Sequence, residues 1–342
     1  MKMVSIKERI SIRSMIFRLI QGFFISVSML VFLEESSQFI FPHYTILSVL
    51  SKLVLLPISI ILLALIFILK QRLYLVSSHV FLLFSLVFFW LKDQVPKGEE
   101  KFEEVSASVL FYNHNVHQFY DDTIVFNGIA KQIKESEAQI VCLQEFGLMQ
   151  YWPNIRSVAE EFSKKIDLPY YDFTPTKGNV FGTAVFSKYP IQNVDTVFQL
   201  LGRTNEAKMY TVDVLTQQLK FVNLHLHSFN LPSVFKDDES TVSQILNLRK
   251  EELASVLSFK SKADVLLGDF NLLPGSQLYN AIVDENYLDA QRQKGNVLEP
   301  TYPGIMNRID YVFLRSFILI ERFEMLEKAG SDHTALLVEI AF

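Results

Sequence analysis

Asp269 and Asn271 stand two residues apart in LLGDFNLLPGS, residues 266–276. In an extended chain that spacing puts both side chains on one side. There an acid can take a proton and an amide can donate hydrogen bonds. An apolar run ending in Gly-Asp-Phe-Asn therefore reads as a buried strand whose tip carries chemistry. The same four residues are also ordinary turn formers, so the stretch alone does not choose between the two readings. Other strand-like runs end in the same way. VLFYN closes at Asn113, with Asn115 two residues on. IVCLQE closes at Glu145 and FVNLH at His225. RID places Asp310 beside a further strand, and SDH places Asp332 and His333 just before the last one. Singly, Asn113 also reads as a turn, Glu145 as a surface carboxylate and His225 as a satisfied strand histidine. Together, acids, amides and imidazoles at so many strand ends point to one convergent site.

Short apolar runs must form the frame that holds them. The patterns predict strands over 105–112, 139–143, 181–186, 209–215, 219–226, 263–268, 309–314 and 334–341. They predict helices over 122–136, 151–166, 238–260 and 276–285, the longest with Leu246, Arg249, Lys250 and Leu253 at helical spacing. Strands mixed with helices indicate a layered α/β or α+β domain over 105–342, large enough to bury a sizeable core. The single cysteine, Cys142, excludes an intrachain disulfide and a multi-cysteine zinc site. It falls inside a predicted strand and reads as buried.

The front of the chain is different. Residues 14–33, 53–69 and 73–91 are long apolar runs; the last two carry no charge. Each approaches the roughly 20 residues that cross a hydrocarbon core of about 30 Å. We expect a membrane region over 1–91 with three transmembrane helices, the alternative being two spans and an interfacial first helix. Lys2, Lys7, Arg9 and Arg13 precede the first span, Lys70 and Arg72 sit between the second and third, and 34–43 has no Lys or Arg. Basic residues favour the cytoplasmic side. The expected location is the plasma membrane, with everything after residue 91 extracytoplasmic. Residues 92–104, KDQVPKGEEKFEE, have linker composition. Residues 1–100 carry 10 Lys and Arg against 6 Asp and Glu, whereas 101–342 carry 22 against 31. The acidic balance of the second part weighs against a broad, sequence-independent affinity for nucleic acid.

The ordered set FYN (111–113), CLQEF (142–146), GTAVFSKYPI (182–191), FVNLHL (221–226), GDFN (268–271), RIDYVFL (308–314) and SDHTAL (331–336) resembles the endonuclease/exonuclease/phosphatase superfamily of metal-dependent phosphoesterases. The resemblance spans the whole domain and implies a four-layer sandwich, two β-sheets flanked by helices. The first motif departs from the pattern. In YNHNVH, Asn113 keeps the aromatic before it and Asn115 keeps the Val after it. We take Asn113 as the motif asparagine and Asn115 as the second metal-side residue, an order that can be swapped.

The resemblance implies Mg²⁺, with Mn²⁺ as its substitute, held by Glu145 with Asn113, Asn115 and Asp332 directly or through water. Hard cations of this kind take oxygen ligands. It also implies that Asp269 orients or deprotonates the attacking water, that Asn271 holds water or phosphate, and that Phe270 points into the core. His333, paired with Asp310, would contact the phosphate, and His225 would be a second imidazole beside it. The expected partners are a phosphoester substrate, whether lipid headgroup, small phosphodiester or nucleic acid, and membrane lipid around the N-terminal helices. Nothing in the sequence points to a protein partner. An extracytoplasmic nuclease is the alternative activity, and a catalytically inactive tethered binding domain is a third reading that the complete set of acids and imidazoles disfavours.

Overall fold

The computed structural model describes residues 107–342 apart from 201, 229–238, 298 and 306. The expected membrane spans and linker lie outside the described residues. Among the described residues no helix is long and apolar enough to cross a membrane.

The first sheet contains β1 (Ser108–Asn115), β2 (Ile140–Phe146), β3 (Tyr170–Phe173), β4 (Gly182–Ser187), β11 (Leu319–Met325) and β12 (Leu336–Ala341), in the order β11-β12-β1-β2-β4-β3. The second contains β5 (Ile191–Gln199), β6 (Glu206–Val214), β7 (Gln217–His225), β8 (Val265–Asp269), β9 (Tyr287–Asp289) and β10 (Asp310–Arg315), in the order β5-β6-β7-β8-β10-β9. Each sheet has one parallel pair at its centre, β1 with β2 and β7 with β8; the other pairings are antiparallel.

Period-2 alternation splits each central strand between two cores. Phe111, Cys142, Val185, Phe221, Leu267 and Val312 point inward and pack sheet against sheet. Tyr112, Val141, Leu143 and Phe186 point outward beneath α1 (Thr123–Ser136) and α2 (Arg156–Ile166). Val222, Leu224, Leu266 and Phe313 point outward beneath α3 (Glu239–Leu257) and α4 (Gln277–Asp284). A short α5 (Ala290–Lys294) follows β9. Helix, sheet, sheet, helix is the expected four-layer arrangement. Cys142 is buried, and burial pushes its thiol well up.

Two expectations shift. The helix expected from 151 begins at Arg156, because residues Met149–Tyr151 form a separate tight turn and Trp152, preceding Pro153, is extended. The ring of a proline disfavours helical geometry in the residue before it. Strands β3, β5, β9 and β11 were not expected; they are the four outermost strands of the two sheets.

Candidate active site

The C-terminal tips of β1, β2, β7 and β8 come together at one end of the sandwich. Across the second sheet, register aligns His225 with Asp269 and Asp269 with Asp310. Three titratable residues thus lie in a row on adjacent strands. Gly268 makes the row so tight. It has φ +146°, and a Cβ there would meet the Leu224 carbonyl oxygen at 1.9 Å. Only glycine tolerates that close approach in that conformation.

Asp269 uses both oxygens. Oδ1 accepts from the Asn271 backbone N–H at 2.9 Å, and Oδ2 accepts from Asn115 Nδ2 at 2.9 Å across the sheets. His225 Nε2 lies 3.6 Å from Asp269 Oδ2 and 3.9 Å from Glu145 Oε1. His225 Nδ1 faces the Thr204 carbonyl at 3.2 Å. That carbonyl can only accept, so Nδ1 carries a proton and Nε2 is the nitrogen turned toward the acids. His333 Nδ1 lies 2.9 Å from Asp310 Oδ2. The His333 backbone is fixed on two sides. Its N–H donates to Ser331 Oγ, which in turn donates to the Asn115 carbonyl, and its carbonyl accepts from His114 Nε2.

These neighbours set the charges. Burial, then the adjacent Asp310 charge, raises Asp269 to about 6 against the opposing pull of His333, His225 and Asn115. Burial alone would lower His333, but the charge and hydrogen bond of Asp310 outweigh it and carry the imidazole to about 9. The site therefore pairs a weak base with an imidazolium that stays charged at neutral pH. Divergent acid and base strengths in one site are what acid–base chemistry requires.

Glu145 comes from the first sheet. The end of β2 bulges between Leu143 and Phe146, Glu145 has φ +52° and Gly147 has φ +142°. The kink aims Glu145 at the site. Burial favours its neutral form, but His225, a 2.6 Å hydrogen bond from Gln118 Nε2, His117 and Lys177 together hold it below the usual carboxylate range. His117 and Gln118 open a left-handed turn, His117–Asp121, whose φ values run from 44° to 55°. Such a conformation is costly for non-glycine residues. Phe119, fully buried against Phe126, Phe146 and Phe162, anchors it.

Eight of the nine expected site residues gather at this end, and Asn113 does not. It lies one pleat below Asn115 on the same inner face of β1. Its Oδ1 accepts from Gln144 Nε2, which also donates to Asn223 Oδ1. Asn113 belongs to a buried polar layer between the sheets, beneath the site. Of the two asparagines, Asn115 is therefore brought to the site and Asn113 is not. Asn115 contacts Asp269, and His117 follows two residues further on, beside Asp332. His117 Nδ1 lies 3.8 Å from Asp332 Oδ1. The Val after Asn115 is the sequence feature that marks the residue reaching Asp269; the aromatic before Asn113 marks the one beneath it. Asn271 also differs from expectation in one respect. Its Nδ2 donates to the Leu226 carbonyl at 3.1 Å and ties the tips of β7 and β8 together. Phe270 points the other way into the core, fully buried. His117, Gln118 and Ser331 were given no role from the sequence: His117 closes YNHNVH and Ser331 opens SDHTAL, each beside the residues that drew attention, and Gln118 lies outside every motif.

Two groups of side chains offer themselves to a cation. One atom each from Asp269, Asp310 and His333 lie within 4.8 Å of one another. That group already satisfies itself, since His333 is hydrogen-bonded to Asp310 and both Asp269 oxygens accept hydrogen bonds. Asp332 is different. Its carboxylate is hydrogen-bonded by the Tyr120 and Tyr302 hydroxyls, yet Oδ1 remains a buried acceptor without a hydrogen-bond partner, and such atoms call for an ion or a water. Glu145, held ionised by neighbours that include His117, is a second carboxylate near the same imidazole, and carboxylate oxygens are the ligands a hard divalent ion takes.

A sequence profile of the Endonuclease/Exonuclease/phosphatase family matches residues 110–333. The chain belongs to this family. Members of the endonuclease/exonuclease/phosphatase family are hydrolases of phosphoester bonds and generally depend on a divalent metal. The chain is 25% identical over 183 residues to protein ORF83 of Ostreid herpesvirus 1 (isolate France), covering 49% of this chain and 48% of that one. It thus spans about half the length of that relative. Among solved structures, an endonuclease/exonuclease/phosphatase from Beutenbergia cavernae DSM 12333 superposes with TM-score 0.53 at 19% identity, covering 69% of this chain and 72% of that one. A humanized D. rerio TDP2 carrying 14 mutations superposes with TM-score 0.50 at 16% identity, covering 69% and 99%. At these identities the two structures speak for the family fold.

Proposed function

We propose that the chain is a membrane-anchored, Mg²⁺- or Mn²⁺-dependent phosphoesterase that cleaves phosphodiester or phosphomonoester bonds by attack of water, with its catalytic domain outside the cytoplasm. The observation that carries the catalytic part is the row His225–Asp269–Asp310 closed by His333. Glu145 and Asp332 would hold the ion, with Asn115 beside them. The bound ion supplies Lewis acidity and neutralises the phosphate.

The side chains do the rest. Asp269, raised to about 6, orients the attacking water and accepts its proton. Asn115 and the Asn271 backbone N–H hold that carboxylate in one orientation, so no reorganisation is needed at the moment of attack. His333, protonated through its pairing with Asp310, donates from Nε2 to a phosphate oxygen on which charge develops. His225 is the second imidazole beside the phosphate, its Nε2 turned to Asp269 and Glu145. The anchor rests on the three apolar segments before residue 92 and on their flanking basic residues.

A substrate panel tests the reading. With Mg²⁺ or Mn²⁺ present, the full chain is offered bis(p-nitrophenyl) phosphate, plasmid DNA, RNA, sphingomyelin and inositol phosphates. Turnover of at least one, lowered about 10²–10⁴-fold in Asp269→Asn, is the expected result. No turnover of any would defeat it. Plasmid or RNA cleavage alone would place the chain among the nucleases of the family.

A further inference from the structure

We propose that Arg203, seated against His227, forms a subsite for a second phosphate of the substrate, one strand pleat outward from the reacting one. The inference rests on the phosphoesterase reading above and extends it to the substrate's chemistry.

His227 follows His225 by two residues. Leu226, between them, is buried with Leu224 and Val222 under α3. The two histidines therefore lie on the opposite face, the one that carries the site. Two residues of extended chain cover about 7 Å. Arg203 Nη1 lies 3.0 Å from His227 Nε2 and 3.2 Å from Nδ1. The guanidinium thus rests against the imidazole, and the residue is exposed. Arg203 and the catalytic row share a loop, since Thr204 supplies the carbonyl that fixes His225.

The seat is built, not incidental. The His227 backbone N–H donates to Glu252 Oε2 at 2.8 Å, and Asn205 Nδ2 donates to the Leu226 carbonyl at 2.9 Å. Burial, followed by the charges of Arg203 and Arg249, pushes His227 down to about 4. It is a neutral platform at physiological pH and does not compete for the anion. Among the described residues, Arg203 is hydrogen-bonded to this imidazole rather than to a carboxylate, in a domain whose acids outnumber its bases. A guanidinium presented in this way retains donors for a phosphate, the ligand its fork geometry suits.

The ligand chemistry is an anion with two phosphates about one pleat apart. Successive phosphates of a nucleic-acid strand and the phosphates of a bisphosphorylated inositol headgroup share it. The test is titration calorimetry on the full chain with Mg²⁺, which needs no turnover. A nucleoside 3′,5′-bisphosphate is compared with the 5′-monophosphate, and inositol 1,4-bisphosphate with inositol 1-phosphate, in the wild type and in Arg203→Gln. A charge-assisted contact of this kind corresponds to about a tenfold preference or more. The expected result is a bisphosphate preference of that size for at least one pair, lost in R203Q while monophosphate affinity stays within about threefold. The pair that responds identifies the source. No preference in the wild type, or a preference that survives in R203Q with an unchanged melting temperature, overturns the subsite. Failure to hydrolyse any phosphoester, with the preference intact, would overturn the phosphoesterase reading and leave the subsite standing.

Discussion

Asp269 carries two hydrogen bonds and two flanking imidazoles, and Asp310 is its strand neighbour. Its proposed role as proton acceptor gives a direct expectation. Asp269→Asn keeps the size and removes the basicity, so kcat should fall by about 10²–10⁴ with KM and melting temperature little changed. Steady-state kinetics with metal in excess checks this. The two asparagines of β1 give a sharper contrast. Asn115→Ala frees Asp269 Oδ2 and should lower kcat by about tenfold or more, the worth of one hydrogen bond to a charged group. Asn113→Ala should leave kcat within about threefold but cost about 1–3 kcal/mol of stability, because Gln144 loses a buried partner. Parallel kinetics and urea denaturation of the two variants decide it. The reverse pattern would restore Asn113 to the site.

At the scale of elements, the tip of β8 depends on one glycine. Gly268→Ala places a Cβ 1.9 Å from the Leu224 carbonyl in a conformation alanine resists. The substitution must part β7 from β8, and we expect a stability loss well above about 1 kcal/mol, read as a large drop in melting temperature or loss of soluble protein. Near-native melting would mean that the close approach is not real. What the sequence made legible follows the same physics. Strands buried on both faces, such as VLFYN and VLLGD, read clearly as continuous apolar runs. The four outermost strands did not. In β5 most side chains are only half-buried or exposed, and β9 has just three residues. An edge strand needs less apolar surface, so its pattern is faint. The turn His117–Asp121 left no signal either. Its left-handed backbone is imposed by Phe119 in the core rather than by glycine or asparagine.

At the scale of the molecule, the two sheets each bring a parallel pair whose C-terminal tips meet, and the site is assembled only by that meeting. The strand-end residues were visible in the chain because motifs mark them. The Arg203–His227 contact was not, since it joins a loop to the residue beyond a strand. The proposed membrane anchor makes its own prediction. A reporter fused after Phe342 should be active only outside the cytoplasm, given Lys and Arg before the first apolar run and at 70–72; activity confined to the cytoplasm would reverse the orientation. The central claim is metal-dependent phosphoester hydrolysis. Its most direct test is the rate of bis(p-nitrophenyl) phosphate hydrolysis by the full chain, first with Mg²⁺, then in EDTA, then with Mg²⁺ or Mn²⁺ restored. The account predicts loss in EDTA and recovery with either ion. Undiminished hydrolysis in EDTA would contradict it.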